Sequence, residues 1–117
     1  MIDIKFRAWD TLQGGKYEYW DLLTNKHDGI FWTMIKNKSF KDVEQFTGLQ
    51  DKKGVDIYCG DIVYIAGIGR TEVLFNEPYL SYVFSYKDEE DYFYQDIIED
   101  LETVIGNIHE SPELLNV

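Results

Sequence analysis

The side chains best suited to nucleophilic or metal chemistry are scarce in this chain of 117 residues: two histidines, His27 and His109, and a single cysteine, Cys59. A structural zinc site draws its thiolates and imidazoles from closely spaced pairs, and these three residues stand far apart. A nucleophilic cysteine needs a base beside it. Cys59, next to Tyr58 and flanked by strand-like sequence, reads instead as a small buried hydrophobe. The acids Asp88-Glu89-Glu90-Asp91 lack the alternating ligands and central glycine of a calcium loop. Gly67-Ile68-Gly69-Arg70 lacks the third glycine of a phosphate-binding loop and is followed by a strand pattern, so it reads as a hairpin turn. Asp61 lies between Gly60 and the apolar run Ile62 to Ala66, where its carboxylate would cap a backbone turn. No catalytic constellation, metal site or cofactor site emerges. The expectation is a binding protein and not an enzyme, and the one catalytic reading left open is a dispersed carboxylate site.

Charge points the same way. The formal net charge is −11, which argues against whole-surface binding to phosphate backbones. Residues 1–60 balance nine bases with nine acids. Residues 61–117 hold thirteen acids and only two bases, Arg70 and Lys87, so that half carries the entire net charge. Eight acids and no base fall within 88–102. Such a run is either a solvated face or a docking surface for a basic partner, and Asp96, Glu99 and Asp100 are the residues expected to steer that partner. The alternative is nucleic-acid binding by the first half, where the bases Lys5, Arg7, Lys16, Lys26, Lys36, Lys38, Lys41, Lys52 and Lys53 are interleaved with Trp9, Tyr17, Tyr19, Trp20, Phe31 and Trp32.

These residues must be positioned by short strands. Alternation from Ile2 to Trp9 predicts a first strand, Lys16 to Leu22 a second and Ile30 to Ile35 a third, with Asn25 to Gly29 as a polar turn. Asp42 to Phe46 reads as a short strand leading to Thr47-Gly48. Gln50 to Gly54 has hairpin-loop chemistry, and Gly54 suits a left-handed position. Strands are expected over Val55 to Tyr58, Ile62 to Ala66, Arg70 to Phe75, Tyr79 to Tyr86 and Thr103 to Ile108. The aromatic strand Tyr79 to Tyr86 offers apolar surface on both sides, which predicts self-association into a homo-oligomer. From Asp88 the period changes: Tyr94, Ile97, Ile98, Leu101 and Ile105 fall on one side of a helical wheel, predicting an amphipathic C-terminal helix over 88–102. Glu113-Leu114-Leu115 makes a short terminal turn. The fold class is mainly β within α+β: one domain over residues 1–117, a small barrel-like or curled antiparallel sheet with one amphipathic helix. No apolar run approaches 18 residues, the opening Met1-Ile2-Asp3-Ile4-Lys5 lacks a signal-peptide pattern, and a lone cysteine excludes a disulfide fold; a cytoplasmic chain is expected.

Three segments carry a resemblance. Ile4-Lys5-Phe6-Arg7-Ala8-Trp9-Asp10 opens the chain. Gln45-Phe46-Thr47-Gly48-Leu49-Gln50-Asp51-Lys52-Lys53-Gly54, continuing through Ile57-Tyr58-Cys59-Gly60-Asp61-Ile62-Val63, forms its centre. Val104-Ile105-Gly106-Asn107-Ile108-His109-Glu110-Ser111-Pro112-Glu113-Leu114-Leu115 closes it. Their order and spacing resemble the YopX family of phage and prophage proteins, over essentially the whole chain. Cys59 departs from the pattern, which places a charged residue, usually Glu, before Gly60-Asp61. The resemblance implies a phage-encoded protein of β-rich fold, acting inside the bacterial host cell, with a host or phage protein as its expected partner. It brings no catalytic residue to this chain. Thr47, Gly48, Gly54, Gly60, Asp61, Gly106 and Asn107 are expected to set backbone geometry.

Overall fold

In a computed structural model of the protein, the structure describes residues 4–10, 14–21, 26–27, 40–87 and 90–115. Among the described residues, ten strands form two antiparallel sheets, one of them curled into a half-barrel. The chain divides into two compact units, residues 1–48 and 49–117.

The first unit is built on β1 (Lys5–Asp10), β2 (Lys16–Asp21), β3 (Lys26–His27) and most of β4 (Phe40–Gln50), in the order β3-β2-β1-β4. The expected turn over Asn25 to Gly29 is corrected: Lys26 and His27 pair with Asp21 and Trp20. The third strand expected at Ile30 to Ile35 lies outside the described residues. The short strand expected over Asp42 to Phe46 is also corrected. β4 runs for eleven residues through Thr47 and Gly48, with Gly48 at a φ of 86°. The β1–β4 register shifts between Ala8 and Asp10. A bulge of this kind bends the strand and increases its twist.

The second unit holds β5 (Asp56–Tyr58), β6 (Asp61–Ile65), β7 (Gly69–Asn76), β8 (Ser81–Tyr86), β9 (Glu90–Phe93) and β10 (Leu101–Asn107). The last five of these form a sheet of order β10-β6-β7-β8-β9. Its core is Ile57, Val63, Ile65, Val73, Phe84, Ile97 and Leu101, all nearly sealed from water. Fully burying one such side chain contributes about 1.5–3 kcal/mol.

The long helix expected over 88–102 is corrected. Residues 90–93 are β9, pairing Glu90 with Tyr86, Asp91 with Ser85, Tyr92 with Phe84 and Phe93 with Val83. Among the described residues of that span only Tyr94–Ile97 (α1) is helical, and β10 has begun by Leu101. The reason is visible in the residues. Asp, Tyr and Phe are weak helix formers, and Asp96 and Asp100 would repel one another four residues apart on a helix. Tyr92 and Phe93 instead cover Phe84 and Val83 across the strand pair. The helical wheel selected Ile97 and Leu101 correctly as buried, but it also selected Ile98 and Ile105, which are exposed.

The aromatic strand is shorter than expected. It begins at Ser81, and Tyr79 belongs to a 3-10 turn, Glu77–Tyr79, that closes the β7–β8 hairpin. A second 3-10 turn, Pro112–Leu115, occupies the place of the predicted terminal turn. No helix among the described residues is long and apolar enough to cross a membrane.

Candidate functional site

The glycine-bearing motifs meet in pairs that are distant in sequence. Gly60 takes a φ of 92°, a left-handed conformation that strains any residue with a Cβ. Its N–H donates to Val73 O at 2.9 Å, and its carbonyl accepts from Ile108 N at 3.0 Å. Asp61 is buried, and its Oδ2 accepts the Tyr58 N–H at 2.8 Å. In the β6–β10 register Asp61 stands opposite Asn107, and Ile62 opposite Gly106. Asn107 Oδ1 accepts from His109 N at 3.0 Å and Glu110 N at 2.9 Å, shaping the closing turn. A Cβ on Gly106 would sit 3.0 Å from both Leu114 Cδ1 and Ser111 Cβ, so the glycine lets that turn fold back onto β10. Thr47 and Gly48 lie within β4, and Gly54, at a φ of 81°, turns the loop after it.

The sequence reading missed the group at the centre of that loop. Asp51 is buried, and its carboxylate accepts three backbone N–H bonds: Lys53 at 2.8 Å and Val55 at 2.9 Å through Oδ1, and Val104 at 2.9 Å through Oδ2. Burial raises its pKa, but the three donors and the Lys53 charge outweigh it and hold the carboxyl below the ordinary aspartate value. Lys52 reinforces the same junction, donating its N–H to Glu102 O at 2.9 Å and its ammonium to Glu102 Oε1 at 3.2 Å. The available signal was an aspartate two residues before a lysine in a glycine-bearing loop, which is an Asx turn. The reach to Val104, 53 residues away, carries no local signature.

The first unit contains a buried ion pair. Arg7 Nε donates to Glu44 Oε1 at 2.8 Å with both side chains 6% exposed, and the guanidinium lies 4.0 Å from the centre of the Tyr17 ring. Arg7 was counted among the bases of a nucleic-acid face, and it does not reach that surface. Lys16 is paired with Glu18 at 3.2 Å, and Lys5 sits over the Phe46 ring. The side chains of Lys26 and Lys41, the residues Lys36 and Lys38, Phe31 and Trp32, and the His27 ring lie outside the description. Cys59 is half-buried, with its thiol 3.6 Å from Val73 O, and His109 is half-buried in the closing turn. No three His, Cys, Asp or Glu side chains gather at metal-binding distance among the described residues.

Asp96 lies in α1, Glu99 and Asp100 lie in the turn that links α1 to β10, and all three are exposed. The turn's backbone is fixed: Asp100 N donates to Ile97 O at 2.9 Å, and Asp100 O accepts from Ala66 N at 2.8 Å. Ile97 anchors it in the core at 3% exposure, while its neighbour Ile98, between Asp96 and Glu99 in the chain, stands 52% exposed. The segment carries an exposed apolar side chain and three exposed carboxylates within five residues on a pinned backbone. It suits recognition of a basic surface that offers an apolar recess.

No curated protein matches the chain. Among solved structures it is similar to the crystal structure of protein EF1440 from Enterococcus faecalis, at 27% identity over 98% of this chain and 99% of that one, with a TM-score of 0.59. Residues 5–116, from the first residue of β1 to just past the closing turn, match the YopX protein family. With the central and closing motifs in register across β6 and β10, the chain belongs to the YopX family.

Proposed function

We propose that this YopX protein is a non-catalytic protein-binding module, encoded by a phage or prophage and acting inside the bacterial host cell. The observation that carries the binding reading is the segment 96–100, where exposed Asp96, Glu99 and Asp100 accompany exposed Ile98 on a backbone held at Asp100 by Ile97 and Ala66. Exposed carboxylates raise the association rate with a basic partner, and an apolar anchor desolvated beside them lowers the dissociation rate. The phage origin rests on the family resemblance.

The test is a capture experiment from infected host cells with three baits: the wild-type chain, Ile98→Ser, and the triple variant Asp96→Asn, Glu99→Gln, Asp100→Asn. One protein should be retained by the wild type, lost with Ile98→Ser, and bound more slowly and with weaker salt dependence by the triple variant. Surface changes of this kind should leave the melting temperature nearly unaltered. If both variants retain the same protein as the wild type at every ionic strength, the turn is only a solvated surface.

A further inference from the structure

The only two bases of residues 61–117 sit in the same cleft. Arg70 and Lys87 line a recess of about 210 Å³ together with Tyr64, Gly69, Tyr86, Leu114 and Leu115. Its floor spans three adjacent strands. Tyr64 on β6 stands opposite Arg70 on β7, and Glu72 on β7 stands opposite Ser85 on β8. Lys87 directly follows the end of β8 at Tyr86 and reaches the same recess as Arg70. The 3-10 turn Pro112–Leu115 forms one wall, held by Arg70 Nη1 donating to Leu114 O at 3.4 Å.

Thirteen acids share this stretch of chain, yet among the described residues neither base has a carboxylate within ion-pair distance. Lys87 instead lies 5.3 Å from the centre of the Tyr86 ring, and it takes a φ of 53°, a conformation uncommon for a residue with a side chain. Gly69 leaves its edge of the cleft to the Tyr86 ring: a Cβ there would come within 3.1 Å of Tyr86 Cε1. Tyr64 is 38% exposed, so its ring is open to a stacking ligand.

We propose that this cleft binds a small organic phosphate of mononucleotide size, with its flat ring against tyrosine and its phosphate between Arg70 and Lys87. Two cations match the charge of a phosphomonoester, roughly −1.5 to −2 at neutral pH. The guanidinium fork fits phosphate oxygens, and the ammonium adds a point charge. A recess of about 210 Å³ limits the ligand to a small molecule. The net charge of the surrounding sequence repels a polyanion from a distance, which favours a monomer over a nucleic-acid strand.

The full chain is titrated with adenosine monophosphate, adenosine and inorganic phosphate, read by amide shifts and calorimetry. Adenosine monophosphate should saturate the amides of residues 64, 69–70 and 86–87, and adenosine should not. Inorganic phosphate should bind the same amides more weakly. Lys87→Gly removes the cation and relieves the positive φ, so it should keep or raise the melting temperature while weakening binding about tenfold. Tyr64→Leu should weaken the nucleotide and leave inorganic phosphate unchanged. The proposal is overturned if adenosine monophosphate fails to saturate these amides at concentrations on the order of 10 mM. It is equally overturned if Lys87→Gly binds like the wild type, or if the nucleotide binds no better than phosphate alone.

Discussion

Replacing Asp51 with asparagine removes one acceptor and one charge while keeping shape. Oδ1 can still accept from Lys53 and Val55, but the new amide group faces the Val104 N–H, donor against donor. A hydrogen bond to a charged acceptor contributes about 1.5–3 kcal/mol, and a buried N–H left unsatisfied costs a similar amount. Counting that bond once, Asp51→Asn should destabilise the second unit by about 2 kcal/mol, a melting-temperature loss of roughly 8 °C at this chain length. Asp51→Ala, which loses all three bonds, should cost more. The effect has a pH signature. The folded-state carboxyl lies below its ordinary value of 3.8, so its stabilisation is complete above that pH and disappears as pH falls through the folded value. The gap between wild type and Asp51→Asn should therefore be full at pH 7 and narrow as pH falls below the ordinary value of 3.8. Thermal melts across pH measure the gap, and hydrogen exchange at the Val104 amide reports the lost bond directly. Equal melting temperatures at neutral pH, or a gap that stays constant into acid, would refute the assignment.

Arg7→Met should destabilise the chain by about 3–5 kcal/mol because Glu44 is left charged and buried, and Arg7→Met with Glu44→Leu should recover most of that loss in urea melts. A double variant no more stable than the single one would show that the pair is not coupled. The β7–β8 hairpin carries Phe75, Tyr79 and Leu80 at 45%, 68% and 80% exposure, so the chain should self-associate at micromolar concentration. Leu80→Gly, which also suits the φ of 49° at that position, should shift light scattering towards monomer, and a wild-type monomer at physiological salt would end that idea.

Strand positions were legible where alternation was strict and turns carried glycine. β6, β7 and the Gly67–Gly69 turn lie where the residues place them, because each depends on neighbours within a few positions. The segment 88–102 was not legible as strands. Its spacing satisfies a helical wheel, and what converts residues 90–93 to β9 is the unpaired edge of β8, a tertiary partner that no local pattern contains. The same limit hid the site. Asp96, Glu99 and Asp100 were visible as acids, but the exposure of Ile98 depends on the helix ending after one turn. Arg70 and Lys87 were visible as the sparse bases of an acidic half, and only the sheet register brings them to one cleft. Asp51 was visible as a turn former, and its third bond needed β10.

The boundary after Gly48 separates more than two compact units. Residues 1–48 hold seven bases and seven acids, while residues 49–117 hold four bases and fifteen acids, the whole formal charge of the chain. One polypeptide thus joins a balanced ampholyte to a polyelectrolyte. Dissolved salt acts unequally on the two. Counterions at physiological strength shorten the reach of charge to about 8 Å, which relieves self-repulsion in the second unit and has little long-range field to screen in the first. Low ionic strength should therefore loosen the second unit selectively, and ionic strength becomes a handle for melting one part of the molecule while the other stays folded.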